Sequence, residues 1–475
     1  MRELMRRAAA ALAALALSAC ATLPPELPEA ADCRANYLGL DEQVDAADVH
    51  NGGVHAIDGF PYLRSNRFLA SFAAEATDGA AFDAWVERMR RLDLEARESE
   101  LRNLGWAEPG DELSHLDRCG AQWAQRDLAD PARRAQLREH VEVPDDYSIL
   151  RRVLGFYPFA VPFLNSGIRN FNEDVVKDYG RPLAKLKSPG PLVLWEPATN
   201  VGAPLRRDFS RDALGIPILS DEQWQALAVA HAPRWLIETE GEFDLIGAPV
   251  LKDDAPALDT ARPLTYFLPA YTRFGDKVLV QLVYVVWVPE RPKSGSLDPY
   301  GGALDGIVWR VTLDADGSPL LYDTIHACGC YHYYFTAQPL QRKPRGGFWQ
   351  EPVLFPQGGP EGLPPAPFAI RVQARTHYVR RLVPLAELKT DERRTYVSAP
   401  YGDLLSLPDG AGGTRSLFCE DGLACGTERL ERLFLWPTGI KSAGAMRQWG
   451  RHATSFVGRS HFDDPGMMDR LFKAD

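Results

Sequence analysis

VLVQLVYVVWV at residues 278–288 and IVWRVTL at 307–313 decide the fold of this chain. Both runs are dense in β-branched and aromatic residues, which fit the pleated surface of a sheet. Gly275-Asp276 separates the first run from LTYFL at 264–268, so a hairpin is expected there. In the second run Ile307, Trp309, Val311 and Leu313 alternate with Val308, Arg310 and Thr312, the period of a strand. Asp316-Gly317 is a turn signal. Folding back about it sets Leu313 opposite Leu320, Val311 opposite Tyr322 and Trp309 opposite Thr324. Arg310 then faces Asp323, a pair of opposite charges that supports the register.

Upstream the period changes from two to that of a helix. Phe82, Trp85, Val86 and Met89 lie three and four apart behind Asp78, a capping residue. Helical patterns recur near 113–127, 132–140 and 146–154. GFYPFAVPFL at 155–164 holds Pro158 and Pro162, which argue against a regular helix. It reads as a kinked buried segment, the alternative being an aromatic loop at a bilayer. Beyond the hairpins a strand is expected near 370–379 and short helices near 442–453 and 465–473. The chain is therefore expected to be α+β, with a mostly helical region at 32–185 and a β-rich, mainly antiparallel region at 186–475.

The first residues carry Arg2, Arg6 and Arg7, then an apolar run from Ala8 to Leu17. That run is shorter than the roughly 20 residues needed to cross a bilayer. A charged start, a short apolar middle and a small-residue end make a secretory signal. Its end, Leu17-Ser18-Ala19-Cys20, resembles the lipobox of bacterial lipoproteins. The resemblance covers about the first 21 residues. It implies cleavage before Cys20, with residues 1–19 removed, and acylation of Cys20. Residues 20–31, with three prolines, are then a stiff tether. By the same resemblance Ala21, where some lipoproteins have Asp, favours the outer membrane, with the domain facing the periplasm.

Loss of residues 1–19 takes away three Arg and one Glu, leaving 50 basic and 63 acidic residues. No basic tract is present, which argues against a nucleic-acid partner. Six cysteines remain: Cys33, Cys119, Cys328, Cys330, Cys419 and Cys425. In an oxidising compartment an even count points to disulfides. Proximity favours Cys419 with Cys425, and Cys33 with Cys119 would staple an entry strand to the helical region. Cys328 and Cys330 are left, one glycine apart.

They belong to His326-Ala327-Cys328-Gly329-Cys330-Tyr331-His332, with four metal-type ligands at alternate positions. On a strand these would share one face, about 6.7 Å apart, too far for one ion unless the chain turns at Gly329. His377, His452 and His461 are possible distant partners, and mixed thiolate and imidazole ligands suit zinc or copper. A structural disulfide beside two hydrogen-bonded histidines is nonetheless the favoured reading of the segment, with the metal site and a thiol-exchange pair as its alternatives. Arg447, Trp449 and Arg451 on a short helix are a lesser candidate for binding an anion. GxSxG, HExxH, phosphate-loop and dinucleotide signatures are absent from the sequence. The preferred expectation is a non-catalytic envelope component that is held at the membrane through its lipid and binds a protein, lipid or glycan. The alternative is a metal- or thiol-dependent enzyme at His326, Cys328, Cys330 and His332.

Overall fold

The computed structural model describes residues 28–199, 209–253, 255–344, 347–359, 362–363 and 367–474. The expected signal segment, Cys20 and the expected tether as far as residue 27 lie outside the described residues. Helix α1, Pro28–Ala47, begins four residues inside the stretch expected to be tether. Proline suits a first helical turn, where its missing N–H has no intrahelical partner to lose.

Helices α2 (Gly79–Asn103), α3 (Gly110–Asp127) and α4 (Pro131–His140) follow. They enclose Tyr37, Phe82, Trp85, Met89, Leu116 and Leu137 with a hairpin of 55–57 and 60–65 that periodicity did not announce. The buried Arg64 guanidinium bonds both oxygens of Glu100 at 2.6 and 2.7 Å, and Arg97 bonds Asp93 at 2.8 Å. Cys33 and Cys119 join α1 to α3. Helix α5 spans Ile149–Leu154 and α6 Tyr157–Tyr179. The expectation of a kinked, buried segment at 155–164 is thus corrected: the chain is helical from Tyr157, and Phe156, Phe159 and Phe163 are exposed. Pro158 falls in the first turn, where N–H groups are unpaired anyway, and only Pro162 forfeits a helical bond. Helix α7, Asp221–Ala230, starts with a reciprocal cap between Ser220 and Gln223.

One ten-stranded sheet organises the rest. Its strands are β1 (Leu192–Pro197), β2 (Trp235–Glu238), β3 (Leu264–Phe274), β4 (Lys277–Arg291), β5 (Gly302–Leu313), β6 (Pro319–His326), β7 (Tyr333–Thr336), β8 (Phe368–Val372), β9 (Val379–Pro384) and β10 (Glu392–Pro400). The order is β7-β6-β5-β4-β3-β10-β1-β2-β8-β9. Strands β3 to β7 form an antiparallel meander. β10 joins the halves: Glu392–Tyr396 pairs in parallel with β1, and Val397–Pro400 in parallel with β3. Phe274 pairs with Lys277 across Gly275-Asp276, as expected. In the next hairpin Val311 faces Tyr322, Trp309 faces Thr324 and Arg310 faces Asp323, also as expected, but Leu313 faces Pro319. Five residues, Asp314 to Ser318, make that turn, so the register slips by one at its mouth.

The chain is α+β. Along β4 nearly every residue is buried, because both faces of the sheet are covered. Val280, Leu282, Tyr284, Val286, Trp309 and Val311 share one face with Tyr179 of α6 and Leu227 of α7. Val283, Val285, Trp287, Val308 and Ile325 meet Tyr401, Phe418, Met446 and Phe462 on the other. The C-terminal segment forms that cover in irregular backbone. The helix expected at 442–453 is absent, since Ser442, Gly444 and Gly450 take positive φ. Met467–Leu471, here α8, falls inside the other expected helix.

Candidate functional site

His326 ends β6, and the chain then turns instead of continuing as a strand. Gly329 at φ +95° and Tyr331 at φ +62° bend it, and the His326 amide donates to the Cys330 carbonyl at 2.9 Å. The same-face alternation of His326, Cys328, Cys330 and His332 is therefore broken. A Cβ on Gly329 would lie 2.4 Å from the Ala453 carbonyl oxygen, so backbone crowding as well as φ requires glycine there.

What the turn assembles is a buried carboxylate–imidazole relay. His377 lies in the turn between β8 and β9, not on the strand expected for it. Its Nε2 is 3.2 Å from Asp244 Oδ1 and its Nδ1 is 2.8 Å from Asp305 Oδ2. Asp305 Oδ1 is 3.4 Å from His326 Nδ1. Asp244 is further held by the amides of Glu240 and Arg375, and Asp305 by that of Gly306. Burial alone would lower the His377 pKa, but hydrogen bonds to Asp244 and Asp305 outweigh it and raise the value. Burial lowers His326 despite the pull of Asp305. Against burial, His326 and His377 hold Asp305 well below the carboxylate range. His377 thus bridges Asp244 and Asp305 through both ring nitrogens, and these two bonds favour its proton while burial disfavours one on His326. The buried Nε2 of His326 has no hydrogen-bond partner. Among the described residues, half of the eight non-glycine positions with positive φ, namely Leu304, Tyr331, Arg375 and His377, sit in this neighbourhood, so backbone strain is concentrated there.

A cavity of about 650 Å³ opens beside the relay, lined by Glu238 and Glu240, Arg291, Asp298 to Tyr300, Gln373 to Thr376, and Arg380. Its charged walls differ in what they can offer. Glu238 is bonded by Arg371 and Arg380, both at 2.8 Å. Asp298 is bonded by Ser294 and the Tyr300 amide, Arg375 by Glu240. Arg291, at the end of β4, forms no ion pair with a described carboxylate. It donates to the Tyr378 hydroxyl at 3.2 Å and lies 5.2 Å from the ring centroids of both Tyr300 and Tyr378. Aromatic faces hold a guanidinium flat while leaving its in-plane donors open to an anion.

The remaining expected ligands go elsewhere. Cys328 and Cys330 are the free cysteines of the described residues, beside each other in the turn. The Cys328 thiol, then burial, pushes Cys330 well above its usual pKa, which disfavours the thiolate that metals and exchange reactions need. His332 bonds Asp323 at 2.8 Å and the Tyr334 hydroxyl at 3.0 Å. Asp323 is itself gripped by Arg310 at 2.6 and 2.9 Å, the expected cross-strand pair. His452 is buried near Phe462, and burial together with Arg447 lowers it to about 3. His461 sits 3.5 and 3.4 Å from Asp145 and Asp146, against the Tyr147 ring. Only His326 and His377 among the histidines come together, through Asp305. Among the described residues no group of three His, Cys, Asp or Glu side chains is arranged to hold a metal. Arg447 is buried and donates to the carbonyls of Cys328, Lys441 and Ser442, which removes it as an exposed anion site. Cys419 is bonded to Cys425, as expected.

Asp244, Arg291, Asp305, Tyr331 and Tyr378 were not singled out by sequence. Asp305 alone left a signal: a carboxylate inside the apolar strand 302–313 must find a partner. The chain matches no family model, no curated protein and no solved structure.

Proposed function

We propose that this protein is a lipid-anchored component of the bacterial cell envelope that binds an anionic, hydroxyl-rich ligand, an acidic glycan, in the cavity beside Arg291. The observation that carries the binding reading is an arginine without a carboxylate partner, held by two tyrosines at the edge of a cavity of about 650 Å³. Guanidinium groups bind carboxylates through two parallel hydrogen bonds. Exposed Tyr300 offers a ring to a sugar face, and the Gln373 amide lines the same cavity. The membrane address rests on Leu17-Ser18-Ala19-Cys20, and the two disulfides fit an oxidising compartment.

The test is calorimetric titration of the purified chain with uronic-acid oligosaccharides and with neutral ones of equal length. Binding of the acidic set only, lost in Arg291→Gln, is expected. Equal binding by Arg291→Gln overturns the site. Incorporation of labelled palmitate, abolished by Cys20→Ala, tests the anchor separately. A thiol- or metal-dependent enzyme is the second reading, favoured by the two free cysteines in contact. Loss of neither phenotype nor metal content in the Cys328→Ser, Cys330→Ser double variant removes it.

A further inference from the structure

Helix α5 is turned inside out. Its polar residues face the protein: Arg152 donates to the carbonyls of Thr438 and Gly458, and Arg151 to that of Ile440. Arg152 also lies over the rings of Tyr147 and Tyr157, at 4.8 and 4.3 Å. Its apolar residues face outward, with Leu150 and Val153 66% and 65% exposed. Amphipathic helices of a globular protein do the reverse.

The next helix continues the pattern. On α6 Tyr157, Val161 and Asn165 face inward, while Phe159 and Phe163 stand 74% and 80% exposed. A short helix at 432–435 adds Phe434, 71% exposed, and Trp436 follows. Gly155, between α5 and α6, packs against Pro437 so closely that a Cβ would lie 2.7 Å from it. The three pieces therefore form one apolar face. Contiguous exposed apolar surface of this kind marks an interaction site.

We infer that this face lies on a phospholipid bilayer, with its aromatic side chains in the interfacial layer. The inference deepens the membrane-anchor reading above and rests on it for the choice of occupant. The charge pattern points the same way. Residues 149–172 contain no acidic residue, in a chain with 64 acids and a net charge of −11, and Arg169, exposed on α6, is the arginine of this stretch not turned into the protein. An acid-free face suits an anionic lipid surface. No helix of the described residues is long and apolar enough to cross a membrane, so the face rests on the bilayer. An acylated Cys20 would keep it there, since stable attachment takes two signals.

The experiment reconstitutes the native lipoprotein in vesicles of phosphatidylethanolamine and phosphatidylglycerol, with a phospholipid carrying a diazirine on its acyl chain. Photolysis and peptide mapping read which residues meet lipid, and the Cys20 peptide is weighed for acyl groups. Label at 149–163 and 433–436 is expected, and its loss from the Phe159→Glu, Phe434→Glu double variant with circular dichroism unchanged. An acylated Cys20 with no label in these segments overturns the inference, as does their crosslinking to protein in place of lipid. Label in these segments without acyl groups on Cys20 overturns the anchor and leaves the bilayer face standing.

Discussion

Replacing His377 by Asn should destabilise the fold by an amount that depends on pH. His377 occupies φ +55°, a conformation asparagine also tolerates, so the substitution removes charge with little change to the backbone. Two hydrogen bonds to ionised groups are lost, at 2.8 Å to Asp305 and 3.2 Å to Asp244. Each is worth about 1.5–3 kcal/mol, and breaking a buried ion pair from one side costs about 3–5 kcal/mol. Asp244 keeps the amides of Glu240 and Arg375, so about 3 kcal/mol is the expected loss near neutrality. His377 has a folded-state pKa raised above 6.5, so its stabilisation is complete below that pH and is lost as the pH rises through the folded value. Asp305 is depressed well below 3.8, so its share persists to acid pH and is lost only as the pH falls through its folded value. Urea unfolding of both chains should therefore show the widest gap near pH 6 and a narrower one near pH 9. A gap below about 1 kcal/mol, or one unchanged across that range, would refute the protonated relay.

Three further outcomes are expected. Removing the Cys33–Cys119 bond, which spans 86 residues, should lower stability by about 4–5 kcal/mol, against about 2 kcal/mol for Cys419–Cys425, which spans 6; alanine pairs compared in urea decide it, and equal losses would contradict the chain-entropy argument. Gly329→Ala should lower the melting temperature, because its Cβ would meet the Ala453 carbonyl oxygen at 2.4 Å and φ is +95°; an unchanged melting temperature would count against the tight turn. Burial raises Glu351 to about 7 from 4.5, against the bonds from the Phe456 and Val457 amides, so ionising it opposes folding increasingly between those values. Glu351→Gln should accordingly gain on the wild type in melting temperature as pH rises through that interval, and a gain independent of pH would rule this out.

Local patterns were legible in the sequence where neighbours in the chain are also neighbours in space. The turn at Gly275-Asp276, the pairing of Arg310 with Asp323 and the Cys419–Cys425 bond follow from short spacings, whereas Cys33–Cys119, 86 residues apart, is one of several pairings the sequence leaves open. The relay is built otherwise: Asp244, Asp305, His326 and His377 come from four separate segments, and among 64 acids only Asp305, set in an apolar strand, carries a local mark. His326, Cys328, Cys330 and His332 misled because alternation implies a shared face only while the chain stays extended, and Gly329 ends that. The outward face of α5 was hidden for a different reason. A helix with two arginines on one side and aliphatic residues on the other has the same sequence whether it faces protein or lipid. Only Tyr147, Tyr157 and the carbonyls of Thr438 and Gly458, all supplied by tertiary packing, decide which side turns inward.

Strand β10 gives the molecule an order of events. Its nine residues are the keystone between two half-sheets, one side gripping β1 and the other β3. The earlier strands can pair within their own halves, yet the halves have no common backbone until residue 392 arrives. Closure of the sheet is thus deferred until nearly the whole polypeptide is present. A chain ending before residue 392 would hold two open edges, and a protease should cut it where it spares the full-length protein. Residues 392–475, under a fifth of the chain, thus hold the piece that completes the sheet.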